Sequence, residues 1–414
     1  MTDAFVLGGV RTPVGRYGGS LSHLRTDDLL GQTMAWACER VEVPLERIED
    51  ITAGCVNPAH EGMGDIARWA ALAAGFPDSV PAITVNRFCA SSLSGAISIA
   101  HAIRSDELAV GLAGGVESMS RSGWAYMKGE APFMPRGPVL LLDTMWAGAG
   151  GPPNPDLLAR DAYIDMMKTA QNVADRYELT REEIDDFALR SHTHAAAARD
   201  SGRLAEEIHS IEIPATRKRE ARTFEHDESI RDDTTAEKLA ALPPQPNTTQ
   251  MTAGNSSPLN DGASAVVLAN GAAAAELGAE PLARVVASAT HALDPRFMGI
   301  APAFAIPKAL ERAGLEPEQI DVWEVHEAYA SVALAILREL PRQLDGFEVP
   351  DERLNPNGGA VAIGHPFGSS GTRYVLTLAT ELRLRDVRFG VLGVCVGSGQ
   401  GVALVLENPL AADA

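Results

Sequence analysis

Two distant stretches of the chain carry one pattern. ACERVEVPLERIEDI at 37–51 and ALERAGLEPEQIDVW at 309–323 each read as the end of a helix, a short loop and the start of a strand. A second correspondence runs beside the first: a helix after Cys89 leads to AVGLAGG at 109–115, and a helix after His365 leads to RFGVLGV at 388–394. This internal duplication constrains the fold, because two similar halves must pack together with Cys89 and His365 ahead of equivalent helices. Short apolar runs bounded by glycine, FVLGGV at 5–10, ITAGCV at 51–56 and LAVGLAGGV at 108–116, read as buried strands. Helical stretches such as Thr26 to Arg40 lie between them, which gives an α/β class.

Between the halves the pattern breaks. Residues 119–259 hold the Gly/Pro-rich loops GAGGPPNPD and ALPPQPN and a polar helical stretch from Met166 to Ser201. We therefore expect an N-terminal half over 1–273, with a core of 1–118 and 260–273 around an inserted region at 119–259, and a C-terminal half over 274–414. A length of 414 residues exceeds the roughly 150 of one domain and suits that division.

Charge narrows the partners. A formal net charge of −20 opposes nucleic acid and anionic membrane, both of which demand a positive field. An anionic ligand would need a local basic patch; Arg217-Lys218-Arg219, followed by Arg222 and Arg231, is either that patch or a solvated charge run. Four cysteines, at 38, 55, 89 and 395, are too few and too scattered for a disulfide framework or a CxxC metal site, so a reduced cytoplasmic protein with no metal is expected. The apolar run near the start is too short for a signal peptide, and no segment is long enough to span a bilayer.

Four motifs carry chemistry. Asn86-Arg87-Phe88-Cys89-Ala90-Ser91-Ser92 follows the apolar strand PAITV and opens a helix, where the dipole would favour a thiolate. On position alone, a lone Cys there is more often a small buried residue. Gly358 to Gly368, GGAVAIGHPFG, brings His365 to a second helix start as a base or an oxyanion donor. Cys395-Val396-Gly397-Ser398-Gly399-Gln400-Gly401 ends an apolar strand in a glycine loop with exposed N–H groups and a second thiol. His326-Glu327-Ala328-Tyr329-Ala330 follows the strand at 322–325, with Glu327 either fixing the imidazole tautomer or forming a structural hydrogen bond. Cys38, Cys55, His192 and His194 read as packing or surface residues of a helix, a strand and a polar helix.

Together CASS, HEAYA, GGAVAIGHP and CVGSGQG, in this order and spacing, resemble the thiolase family. VRTPVGRYGG, GGVESMSR, FEHDESIR and TAGNSSPLNDGA extend the resemblance over nearly the whole chain. It implies a thiolase-like five-layered αβαβα sandwich of two duplicated βαβαβαββ halves with an inserted loop domain. It implies that Cys89 is the nucleophile, that His365 activates it, and that Cys395 is the second acid/base. His326 would hold a water on the enolate oxygen, and the N–H groups of Cys89 and Gly397 would face the acyl oxygen.

The resemblance further puts Ser257 and Ala253 beside the pantetheine of coenzyme A, Met166 and Met298 on its apolar wall, Arg231 near the nucleotide and 217–222 near phosphates. Coenzyme A and acyl-CoA would be substrates, with no permanently bound cofactor. The implied reaction is cleavage of 3-oxoacyl-CoA by CoA in fatty-acid or related acyl-CoA degradation; the alternatives are an acetyl-CoA acetyltransferase and a non-catalytic acyl-CoA-binding subunit. A homodimer or homotetramer is implied, with a hydratase-dehydrogenase subunit as a possible partner. Departures from the commonest pattern are Ser92 for Gly, His326 for Asn, Tyr329 for Phe and Met167 where Gly is frequent. The His variant leans toward degradation of longer chains, whereas Tyr329 and Met167 would narrow the pocket.

Overall fold

A computed structural model describes residues 2–58, 60–125, 138, 141–145, 154–215 and 220–411. Arg217, Lys218 and Arg219 and residues 148–153 of the GAGGPPNPD loop lie outside the described residues.

The N-terminal half runs through β1 (Ala4–Arg11), α1 (Thr26–Arg40), β2 (Asp50–Gly54), α2 (Ile66–Ala73), β3 (Ala82–Val85), α3 (Ser91–Arg104) and β4 (Val110–Ser118). After a long excursion containing α4 (Met166–Arg176) and α5 (Arg181–Asp200), the chain returns as β5 (Asn260–Asn270). The C-terminal half is β6 (Ala283–Ala292), α6 (Pro302–Ala313), β7 (Val322–Val325), α7 (Ala330–Gln343), α8 (Phe367–Arg385), β8 (Phe389–Val396) and β9 (Gln400–Glu407).

The strand order is β1-β5-β4-β2-β3 in the first half and β6-β9-β8-β7 in the second, the same topology twice. A two-residue pairing, Phe5 with Arg284 and Val6 with Ala283, joins the half-sheets. Strand alternation then builds the layers. Ala263, Ala265 and Val267 of β5 face α1 and α2, whereas Val266 and Leu268 face α3 and α8. On β8, Leu392, Val394 and Val396 join that same middle layer, while Val391 and Cys395 turn to α6 and α7. The five layers are therefore α1/α2, sheet, α3/α8, sheet, α6/α7, as a strand with both faces buried requires.

The C-terminal half departs from the expected βαβαβαββ pattern. Its third strand shrinks to a single bridge between Trp323 and Leu354. The next residue explains why: Asn355 takes the N–H of Val325 on Oδ1 at 2.8 Å and donates Nδ2 to the Val325 carbonyl at 2.9 Å, so a side-chain amide occupies the place of a strand. Pro356 has no N–H with which to continue the pairing.

The excursion is pinned to the core by charge. Arg11 at the end of β1 is 1% exposed. Its Nε donates to Glu207 at 2.8 Å, and its Nη1 and Nη2 donate to Asp227 at 2.7 and 2.9 Å. Arg203 in turn reaches Glu381 on α8 at 2.7 Å. Removing Arg11 leaves the buried Asp227 without a cation and Glu207 with Arg203 alone, so Arg11→Met is expected to cost about 3–5 kcal/mol. A urea unfolding midpoint equal to that of the parent protein would contradict this account.

Candidate active site

Cys89 lies in the turn between β3 and α3. Phe88 before it has φ +44°, a left-handed value that a bulky side chain adopts only under constraint. The constraint is visible: Phe88 N–H donates to Asn86 Oδ1 at 2.9 Å, and Ser91 Oγ accepts from Arg87 N–H at 2.9 Å while donating to the Phe88 carbonyl at 2.6 Å. The Phe88 ring packs on Gly397, where an added Cβ would come within 3.3 Å of it.

His365 follows Gly364. Its φ of +113°, and the Asn260 side chain that an added Cβ would meet at 2.6 Å, admit only glycine there. Asn260 Oδ1 accepts the His365 N–H at 3.0 Å. Ser370, within the first turns of α8, donates its hydroxyl to the Pro366 carbonyl at 3.0 Å and lies 2.6 Å from His365 Nδ1. One hydroxyl proton serves one of these contacts at a time: when it goes to the Pro366 carbonyl, Nδ1 carries the imidazole proton and Nε2 keeps its lone pair, and when it goes to Nδ1 the tautomer is reversed. That Nε2 is buried without a hydrogen-bond partner among the described residues.

His326, at the end of β7, stacks edge-on against His365 with ring centroids 4.3 Å apart, and its Nδ1 is 3.4 Å from the Cys395 sulfur at the end of β8. The Gly397 N–H reaches the Cys89 sulfur, and the Ala328 N–H reaches that of Cys395. Tyr329 lies in the field of both thiols. Cys89, His326, His365, Cys395 and Gly397 are thus gathered at one end of the middle layer.

Burial dominates their proton affinities. It pushes the Cys89 thiol up to about 12, against the N–H groups of Gly397 and Cys89 itself, with Glu117 adding to the rise. Two features stand against the expected dipole effect: α3 begins only at Ser91, and burial opposes a thiolate on the half-buried Cys89 more than the N–H donors favour it. Burial and then the neighbouring Cys89 raise Cys395 well above the usual thiol range. Burial lowers His326 to about 3, with Arg373 next, and burial followed by His326 and Arg373 holds His365 well below the ordinary imidazole value. Two neutral thiols and two neutral imidazoles can pass protons in either direction without a standing charge in the cavity.

The other expected site residues scatter more widely. Ser257 donates its N–H to the Ala328 carbonyl at 3.1 Å, next to the Cys395 turn, and Ala253 is exposed on the same loop. Met166 opens α4, and Met298 is buried in the 295–300 turn; both belong to the apolar core of the C-terminal half. Arg231 is exposed, and its backbone N–H bonds His192 Nδ1 on α5 at 3.3 Å. Glu327 turns away from His326: it accepts from Ser191 Oγ at 2.6 Å and Asn355 Nδ2 at 2.8 Å, the structural of its two readings. Sequence reasoning alone misses Ser370, Asn260 and Phe88 as site residues; a Ser one turn into a helix, able to back-bond its own backbone, is the only local hint for Ser370.

Family models described as "Thiolase, N-terminal domain" and "Thiolase, C-terminal domain" match residues 4–272 and 279–408. The 3-oxoadipyl-CoA/3-oxo-5,6-dehydrosuberyl-CoA thiolase of Escherichia coli is 41% identical over 412 residues, covering 99% of this chain and 100% of that protein. Among solved structures, Bacillus anthracis acetyl-CoA acetyltransferase superposes with a TM-score of 0.89 at 38% identity over 98% of this chain and 99% of that one. Human mitochondrial 3-ketoacyl-CoA thiolase in complex with CoA gives 0.88 at 34% identity, with 98% of both chains covered.

The imidazoles offer a direct check. Unfolded histidines take up protons near 6.5, whereas His326 and His365 resist until far lower pH. Stability from their neutral forms is therefore fully present above about 6.5 and is lost as pH falls toward their folded values. Long-range 1H–15N NMR should find both rings neutral at about pH 5; a protonated His365 there would overturn the burial argument.

Proposed function

The chain belongs to the thiolase family, and from that premise we propose that it cleaves 3-oxoacyl-CoA with CoA through an acyl thioester on Cys89. The observation that carries the reading is the meeting of two thiols with two neutral imidazoles, His326 Nδ1 lying 3.4 Å from Cys395 and the buried His365 Nε2 having no hydrogen-bond partner among the described residues.

The resting Cys89 thiol gives its proton to His365 Nε2, and the thiolate attacks the 3-oxo carbon. As the bond between C2 and C3 breaks, Cys395 protonates C2 of the departing enolate, which leaves as acetyl-CoA. The Cys395 thiolate then takes the proton of an incoming CoA thiol. CoA thiolate removes the acyl group from Cys89, and His365 returns its proton. The N–H groups of Cys89 and Gly397 stabilise the acyl oxygen, and His365 and His326 the enolate side. Ser257 and Ala253 border the pantetheine, Met166 and Met298 back it, and Arg231 meets the nucleotide.

For the substrate, the E. coli relative is named for 3-oxoadipyl-CoA, which favours a short 3-oxoacyl chain ending in a carboxylate over a long fatty acyl chain. Tyr329 beside both thiols and Met167, 3.9 Å from Ser256 Oγ, support a short pocket. The acetyltransferase relative keeps acetoacetyl-CoA as the second reading.

We also propose that identical copies assemble. Strand β3 ends the N-terminal half-sheet, yet Ile83 on it is 53% exposed, and Trp69 on the neighbouring α2 is 50% exposed. An apolar open edge of this kind is normally covered.

Turnover is expected to be fastest with 3-oxoadipyl-CoA among 3-oxoadipyl-, 3-oxohexanoyl-, long-chain 3-oxoacyl- and acetoacetyl-CoA, with Cys89→Ala abolishing it and a succinyl thioester trapped on Cys89 of the parent. Preference for acetoacetyl-CoA would select the acetyltransferase, and inactivity on all four a binding subunit. Ile83→Lys is expected to shift the mass seen by light scattering toward the monomer; an unchanged mass would remove β3 from the interface.

A further inference from the structure

Glu117 joins the start of α8 after His365 to the loop that follows β2, which in turn holds the Cys89 loop. It ends β4 facing the middle layer and is buried. Its Oε2 accepts the N–H of Gly368 at 2.9 Å and of Val56 at 3.0 Å, and its Oε1 accepts the N–H of Asn57 at 2.9 Å. Gly368 is the second residue of α8, so this N–H is one that no helical carbonyl can satisfy. The helix start that follows His365 is thus capped by a strand of the other half.

The contact is close because three glycines allow it. A Cβ on Gly115 would sit 2.1 Å from the Gly368 carbonyl, and one on Gly368 would sit 2.5 Å from that of Val116. Gly54 at the end of β2 is just as crowded, since a Cβ there would sit 2.8 Å from the Gly368 carbonyl. On the other side the path continues to the nucleophile: the Val56 carbonyl accepts Asn86 Nδ2 at 3.0 Å, and Asn86 Oδ1 accepts the Phe88 N–H at 2.9 Å. A run of hydrogen bonds therefore joins the turn of His365 to the strained residue before Cys89, with Glu117 at its centre.

We propose that Glu117 is a positioning residue: its carboxylate locks the His365 turn to the Cys89 loop and, by its negative charge, sets how readily Cys89 releases its proton. The inference rests on the reading of Cys89 as nucleophile and His365 as its base. Burial pushes the Glu117 carboxyl up to about 7 while its three N–H donors pull it down, and Asp261 on β5 adds to the rise. Besides Asp261, the titratable groups that feel its charge include Cys55 after β2 and Cys89. Above about pH 8 Glu117 is charged, and that charge opposes a thiolate on Cys89. Glutamine is not a neutral replacement in geometry, since its amide NH2 would face an N–H donor on one side.

The test compares the parent with Glu117→Gln and Glu117→Asp. Peptide mass spectrometry reads the pH midpoint for iodoacetamide alkylation of Cys89, and steady-state kinetics reads kcat and the KM for CoA. In Glu117→Gln the midpoint is expected to fall by about one pH unit, while kcat falls roughly 10²-fold at an unchanged KM. A purely structural residue would not make Cys89 easier to ionise as turnover drops. Glu117→Asp keeps the charge but withdraws the carboxylate, so its midpoint stays near the parent's while kcat falls. A folded Glu117→Gln whose midpoint is unmoved or raised, or Glu117→Asp with parental kcat, overturns the proposal. If Glu117→Gln does not fold, Glu117→Asp decides alone. A parent inactive on every thioester would sink the catalytic reading, whereas the alkylation midpoints would still report on Glu117.

Discussion

Helices α3 and α8 lie against each other between the two half-sheets, and the rest of the site follows from that contact. Each helix is reached from the end of a strand region in its own half, so duplication brings two equivalent turns together. Cys89 stands in one and His365 in the other. Strands β7 and β8 then bring His326 and Cys395 to the same end. Packing that buries both helix starts also strips water from whatever they carry. The thiols are held protonated and the imidazoles neutral by one cause, and the charges that remain near them, Arg373 and Glu117, act with little screening.

This explains how the chemistry is balanced. A thiol raised to about 12 together with an imidazole that resists protonation makes proton transfer between them uphill. Substrate must supply the difference, through N–H donors aimed at oxygens that become anionic only as bonds form. The Gly397 N–H is held in the tight turn between β8 and β9, with Ser398 and Gly399 at positive φ, and there it reaches the Cys89 sulfur.

Much of this was legible in the chain. Cys89, His365, His326 and Cys395 each stand where an apolar run meets glycine or a helix start, and those patterns are local. The duplicated halves were legible for the same reason. Protonation was not: burial opposes the helix-end argument for Cys89, and burial depends on what packs above the turn and not on the turn's own residues. The partners of Glu117 were hidden too, since Val56, Asn57 and Gly368 contribute backbone N–H groups whose identity leaves no mark in sequence. The missing third strand of the C-terminal half was signalled only by Asn355-Pro356, a pair that reads equally well as an ordinary turn.

Asn355 has a consequence beyond its own loop. Where the first half ends in β3 with its outer backbone unpaired, the second ends in an amide that satisfies Val325 on both sides. The duplicated molecule is therefore monovalent as a sheet. A second copy docking through β3 presents its own sealed end outward, so growth terminates at a closed pair, whereas two open edges would have given a chain of unlimited length.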